Sequence, residues 1–185
     1  VKMMNCPEVQ YMGVPHISVP TTAGTGAEVT NGAVIYNKQL GIKHLIVSNY
    51  LESDIAVLDA HMTTGLPPML TAATGMDALT HAIETMGHPN TSHFALAHAE
   101  TSAKIIVENL PKVVADGSDV LARQAMLSAS AMACNSVVND LGASPVHNFA
   151  HAFGAVCHIH HGEANGVLLP VVMEEFADFY VPVVE

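Results

Sequence analysis

Residues 144–170 read SPVHNFAHAFGAVCHIHHGEANGVLLP, and they hold five of the chain's twelve histidines. His147 and His151 are four apart. On a helix that spacing places both rings on one face, one turn apart. Gly154 then lets the helix end or lets a neighbour approach closely. A CHIHH loop follows, and His161 precedes Gly162. Upstream, residues 75–84 read GMDALTHAIE, with Asp77 and His81 again four apart on a helix whose other side is apolar. Two helices and a loop converging on one point would supply one Asp and three His. That set suits a divalent transition metal.

The bulk properties narrow the field. The chain has 185 residues, half of them apolar, enough for one large domain or two small ones. Its formal net charge of −11 would repel nucleic acid and anionic membranes, so neither is expected as a partner. Cys6, Cys134 and Cys157 have no framework spacing. That points to reduced thiols and a cytoplasmic setting. No run of eighteen apolar residues and no signal peptide is present. The chain begins with Val and ends YVPVVE. Both ends read as cut, so a longer parent protein is expected.

Strand signals fill the first part. Residues 16–20, 29–36, 43–48 and 55–59 are β-prone, and residues 37–41 suit a hairpin connection. Between the first two lies TTAGTG (21–26), a small-residue turn able to approach a ligand or hold phosphate. It is neither a P-loop nor GxGxxG, and alone it reads more readily as a plain flexible turn. From Leu66 onward helical periodicity replaces strand signals. Pro67 and Pro68 open a helix over 71–85, and residues 87–90 break it. Thr91 or Ser92 caps the next, which is expected to run to Leu110 with Pro111 beyond it. Residues 116–119 form a turn and cap, residues 120–138 a long helix stopped by 139–142, and residues 166–180 a last helix entered near Pro170. The expected fold class is an α/β N-terminal segment (1–65) followed by an all-α metal-binding domain (66–185).

Taken singly, Asp77 with His81, or His147 with His151, is also what a capping carboxylate and half-buried histidines look like. Jointly they are harder to set aside. An unpaired carboxylate on a largely apolar helix is costly, and a cation removes that cost for all its ligands at once. Imidazoles with one carboxylate and no thiolate suit Fe(II), Zn(II), Co(II) or Ni(II). An open site of that kind polarises an alcohol or carbonyl oxygen. If His147 and His161 are ligands, His151 is left to relay a proton or to face a bound cofactor. His158 and His160 are spare candidates or members of an exposed loop. His61, His88, His93 and His98 are expected at the surface.

These motifs resemble the iron-containing (group III) alcohol dehydrogenases, which have a dehydroquinate synthase-like fold. The landmarks are VPTTAGTGAEVT (19–30), LPPMLTAATGMDALTHAIE (66–84), ENLP (108–111) and VHNFAHAFGAVCHIHHGEANGVLLP (146–170). The resemblance runs from about residue 14 to 176. It implies metal ligands at Asp77, His81, His147 and His161, holding Fe(II), with Zn(II) the alternative. It implies that His151 lies near the nicotinamide and substrate, and that Thr21, Thr22, Thr25 and Lys43 contact NAD or NADP. The implied reaction is reversible hydride transfer between a primary alcohol or aldehyde and NAD(P), in a homo-oligomer.

Two departures accompany the resemblance. Full-length members carry an N-terminal Rossmann-like portion with a Gly-Gly-Gly-Ser turn for the pyrophosphate, and no such turn occurs here. His160 stands where proline is common before the last ligand, where it competes with His161. Two other readings follow from the residues: a metal-binding fragment without turnover, and a hydrolase or lyase using metal-bound water. The TTAGTG turn argues against the hydrolase, which needs no dinucleotide cradle.

Overall fold

The computed structural model describes residues 2–5, 14–140 and 144–184. Cys6 and the helix stop expected at 141–142 lie outside them. Strands β3 (Gly32–Asn37) and β4 (Ile42–Val47) form the expected hairpin, registered from Gly32 opposite Val47 to Asn37 opposite Ile42. The Asn37 side chain accepts from the N–H groups of Gln39 and Leu40, and Gly41 supplies the left-handed φ of 63° the turn needs. β1 (Lys2–Asn5) pairs in parallel with the other edge of β4. A separate two-residue parallel pair joins β2 (Ile17–Ser18) to β5 (Ile55–Ala56).

Three strands differ from expectation. The run expected over 16–20 forms a strand only at Ile17–Ser18. Gly26 turns left-handed at φ 64° and starts a 3-10 turn over Ala27–Val29, so the strand expected from 29 begins at Gly32. The strand expected over 55–59 stops at Ala56. Asp59 instead caps the next turn, accepting the His61 N–H at 3.0 Å.

The helices are α1 (Pro68–Gly87), α2 (His93–Ala115), α3 (Val120–Asp140), α4 (Pro145–Cys157), α5 (His161–Glu175) and α6 (Ala177–Val184). Helix α1 is central and touches all five others. Its small residues let them in close. A Cβ at Gly75 would lie 2.3 Å from a Leu110 methyl of α2. Ala78, Ile106, Val113, Ala122, Met126 and Ala129 form one core among α1, α2 and α3. Val146, Leu169, Val172 and Tyr180 form another beneath α4, α5 and α6. Each large apolar side chain so buried contributes about 2 kcal/mol. Ser92 caps α2 by accepting the Ala95 N–H, and Asp119 accepts the Ala122 N–H at the start of α3.

Pro111 and Pro170 were expected to bound helices, and neither does. Helix α2 continues through Pro111 to Ala115, and α5 runs through Pro170. Both rings face solvent. The carbonyl that Pro111 deprives of a donor belongs to Val107, itself 64% exposed, so water can serve it. Helix α5 accordingly starts at His161, five residues before the expected entry. Helix α4 also passes Gly154 and ends at His158, which takes a left-handed φ of 57°. His61 and His93 are exposed as expected, but His88 and His98 are half-buried, His98 lying against Phe94.

Arg123 clamps the start of the helical part. Its guanidinium donates to the Gly117 carbonyl, the Thr71 hydroxyl and the Leu66 carbonyl at 3.0, 3.0 and 3.3 Å.

Candidate metal centre

Helix α1 presents Asp77, His81 and Glu84 on one face, all buried, with Asp77 only 2% exposed. Helix α4 brings His147 to them from the side, and α5 brings His161 from its first residue. Gly162 permits that approach: a Cβ there would lie 2.2 Å from the Ala73 carbonyl oxygen of α1. One donor atom from each of Asp77, His81 and His147 lies within 4.8 Å of the others. The His81 and His147 rings stack at 4.3 Å. His161 stands just outside that trio, yet its Nε2 and the His147 Nε2 both lie 3.5 Å from the same Asp77 oxygen, Oδ1.

The donor set fits a divalent transition metal on the structure's own terms. His147 Nε2, 3.5 Å from Asp77 Oδ1, is buried without a hydrogen-bond partner. A cation accepting that ring lone pair beside Asp77 would answer it. His158 and His160 are exposed, and neither belongs to the donor trio found among the described residues.

Three residues complete the arrangement. The Asn165 amide nitrogen, one turn along α5 from His161, donates to Asp77 Oδ1 at 2.6 Å and reaches His161 Nε2 at 3.3 Å. The Thr25 hydroxyl donates to Asp77 Oδ2 at 3.2 Å. Glu84 meets His147 Nδ1 through Oε2 and accepts the Val146 N–H at 2.6 Å through Oε1. Sequence reasoning assigned Glu84 and Asn165 no role. Helical spacing could have found both, because Glu84 is three residues past His81 and Asn165 four past His161.

Burial alone would raise the Asp77 carboxyl, but His147 at 3.5 Å and the other two imidazoles around it hold it well below the usual carboxylate range. Burial opposes charge on His147 too. The Asp77 and Glu84 carboxylates outweigh it and push that ring up to about 9. Burial takes His81 down to about 3 and His161 to about 4, with His147 adding repulsion to both. His151, half-buried, stacks on His161 at 4.6 Å. Burial and then the His161, His147 and Lys43 charges carry it down to about 3.

The residues expected at a dinucleotide lie on two elements. In the TTAGTG turn Thr21 and Thr25 are exposed and Thr22 is half-buried. That turn is pressed onto α1 and α3, because Ser130 donates to the Gly24 carbonyl and a Cβ at Gly26 would lie 2.3 Å from Cys134 Cβ. Lys43 extends from β4 to α4, where its Nζ lies 2.9 Å from a Cβ built on Gly154. The close neighbour that Gly154 was expected to admit is this ammonium. Of the three threonines, Thr25 touches Asp77 directly.

Residues 4–60 match the family described as "Iron-containing alcohol dehydrogenase", and residues 71–180 match "Fe-containing alcohol dehydrogenase family, C-terminal". "Probable alcohol dehydrogenase EutG" of Salmonella typhimurium is 46% identical over 160 residues, covering 86% of this chain and 40% of that protein. "1-propanol dehydrogenase PduQ" of the same organism is 41% identical, over 85% of this chain and 42% of its own length. Among solved structures, a 1,3-propanediol oxidoreductase superposes with a TM-score of 0.82 at 37% identity, over 91% of this chain and 46% of that one. The sulfoacetaldehyde reductase of Bifidobacterium kashiwanohense, solved in complex with NAD+, gives 0.81 at 34%, over 88% and 43%. The chain thus spans about two fifths of the curated relatives it matches and shares the dehydroquinate synthase-like fold of the solved ones. It belongs to the iron-containing alcohol dehydrogenase family.

Proposed function

We propose that the protein containing this chain is a metal-dependent alcohol dehydrogenase that transfers hydride reversibly between a primary alcohol or aldehyde and NAD(P). The observation that carries the proposal is the meeting of Asp77, His81 and His147 donor atoms within 4.8 Å, with His161 on the same Asp77 oxygen, in a chain of this family. Asp77, His81, His147 and His161 would hold the metal, Fe(II) before Zn(II). When bound, the metal supplies a Lewis acid for the alcohol oxygen, and the dinucleotide supplies the hydride acceptor.

The chain's own residues prepare that chemistry. Asp77 stays ionised and gives the site its negative charge. Thr25 and Asn165 fix its two oxygens. His151 stacks on His161 and would face the nicotinamide and substrate, its ring neutral at physiological pH. Lys43, with Thr21, Thr22 and Thr25, would face the dinucleotide, and the Lys43 charge suits its phosphates. We place the division between cofactor-binding and metal-binding parts at residues 65 and 66, where strands give way to helices. A cytoplasmic setting accords with the unframed cysteines, and among the described residues no helix is long and apolar enough to cross a membrane. Self-association accords with the apolar residues that β3 leaves exposed, Val34, Ile35 and Tyr36.

The test is turnover by the full-length protein, purified without oxygen, loaded with Fe(II) and followed by NADH absorbance with short aldehydes. Activity that disappears in His147→Ala supports the proposal. Full metal loading with neither NADH oxidation by any aldehyde nor NAD+ reduction by any alcohol would refute it.

A further inference from the structure

We infer that Glu84 is a positioning residue for His147, holding the ring so that Nδ1 carries its proton and Nε2 turns a lone pair toward Asp77. This rests on the reading of the site as a metal centre. Glu84 is 2% exposed, and a buried carboxylate needs donors for both oxygens. It finds them on two consecutive residues of α4, the Val146 N–H and His147 Nδ1. The Val146 N–H lies in the first turn of α4, where no intrahelical acceptor exists and Ser144 provides no side-chain cap. A carboxylate from α1 therefore does the capping, and a negative charge suits that end of the helix. The same two contacts fix both the entry of α4 and the rotation of the His147 ring. Tyr180 closes the pocket from α6, fully buried and packed with Val146.

The arrangement follows the carboxylate–histidine–metal pattern in which the outer carboxylate sets tautomer and orientation. It also makes α1 the source of three contributions: Asp77 and His81 directly, His147 through Glu84. Substitution by glutamine cannot imitate this. Whichever way the amide turns, its NH2 meets a donor, either the Val146 N–H or the proton on His147 Nδ1. Relief in the second case moves the His147 proton to Nε2 and removes the lone pair.

The experiment uses the full-length protein with Zn(II) as a diamagnetic probe. Zn(II) affinity is measured by chelator competition for wild type and Glu84→Gln. Histidine-ring 15N spectra are recorded on the loaded wild type, with His147→Ala to identify the signals. The expected result is affinity lower by roughly 10–100-fold in Glu84→Gln. A hydrogen-bonded Nδ1–H on His147 is expected in the loaded wild type. A folded Glu84→Gln protein with wild-type affinity overturns the inference. If that variant does not fold, the wild-type spectrum decides, and His147 bound through Nδ1, or lacking the Nδ1 proton, overturns it. Wild type that takes up no Zn(II) removes the metal-centre reading as well. Intact Zn(II) binding without dehydrogenase activity would refute the proposed reaction and leave the Glu84 assignment standing.

Discussion

Gly162→Ala is expected to loosen the centre although residue 162 binds nothing itself. Its added Cβ would lie 2.2 Å from the Ala73 carbonyl oxygen, a backbone atom that no rotamer change can move. Ordinary contact begins near 3.4 Å, so α5 must retreat from α1 by about 1.2 Å, in an interior packed too tightly to absorb it. His161 and Asn165 ride on α5. The 2.6 Å bond from Asn165 to Asp77 would then pass out of hydrogen-bond reach, and His161 would leave the shared oxygen. Overpacking of this kind costs about 1–3 kcal/mol, which lowers a melting midpoint by roughly 2–4 °C per kcal/mol for a domain of this size. The assay pairs thermal melting with Zn(II) affinity. Gly65→Ala serves as control, because a Cβ there meets nothing within 4 Å. If Gly162→Ala melts and binds Zn(II) like Gly65→Ala, the account of how α5 is seated is wrong.

Three more outcomes follow from the same structure. Metal affinity should rise with pH up to about 9, since His147 must shed a proton held up to about 9. The sign for the metal-free protein is opposite: that raised group stabilises it fully below the ordinary histidine value and less as pH passes through about 9. Calorimetry in buffers of different ionisation enthalpy should detect about one proton released per metal at neutral pH, and no release would contradict this. Lys43→Met should raise the KM for NADH by about 10-fold, on the order of 1.4 kcal/mol, with metal content unchanged; an unchanged KM would remove Lys43 from the dinucleotide site. Arg123→Met leaves the Gly117 carbonyl without its donor and Leu66 and Thr71 with only the bond between them, and should cost about 1–3 kcal/mol in chemical denaturation without altering the histidine-ring spectra of the loaded protein.

The centre was partly legible because helical spacing survives translation into space. Asp77 and His81 lie on one face of α1 as their separation requires, and His147 meets them across α4. His161 was legible as a candidate, but the helix it starts was not. The last helix was expected to begin at Gly166 near Pro170, yet it starts at His161, because Gly162 lets two backbones touch and Pro170 stands on the wet side. Helical spacing puts Glu84 and Asn165 on the faces of their helices that carry His81 and His161, but their partners, 63 and 88 residues away, are what give them roles. Thr25 was expected at a dinucleotide and also braces Asp77, a contact no local pattern encodes. The short pairing of β2 with β5 was illegible for the same reason, since both runs are β-prone but only two residues of each find a partner.

The Arg123 clamp has a consequence for how the molecule responds to its surroundings. All three of its acceptors are neutral: two carbonyls and a hydroxyl. Ionic strength weakens attraction between opposite charges, and acid removes carboxylate partners, but neither change takes an acceptor from this guanidinium. The metal centre, built from one carboxylate and several imidazoles, is sensitive to both. Solution conditions that empty or fill the centre therefore leave the first turn of α1 anchored, so the helix carrying Asp77 and His81 keeps its place whether or not its ligands are engaged.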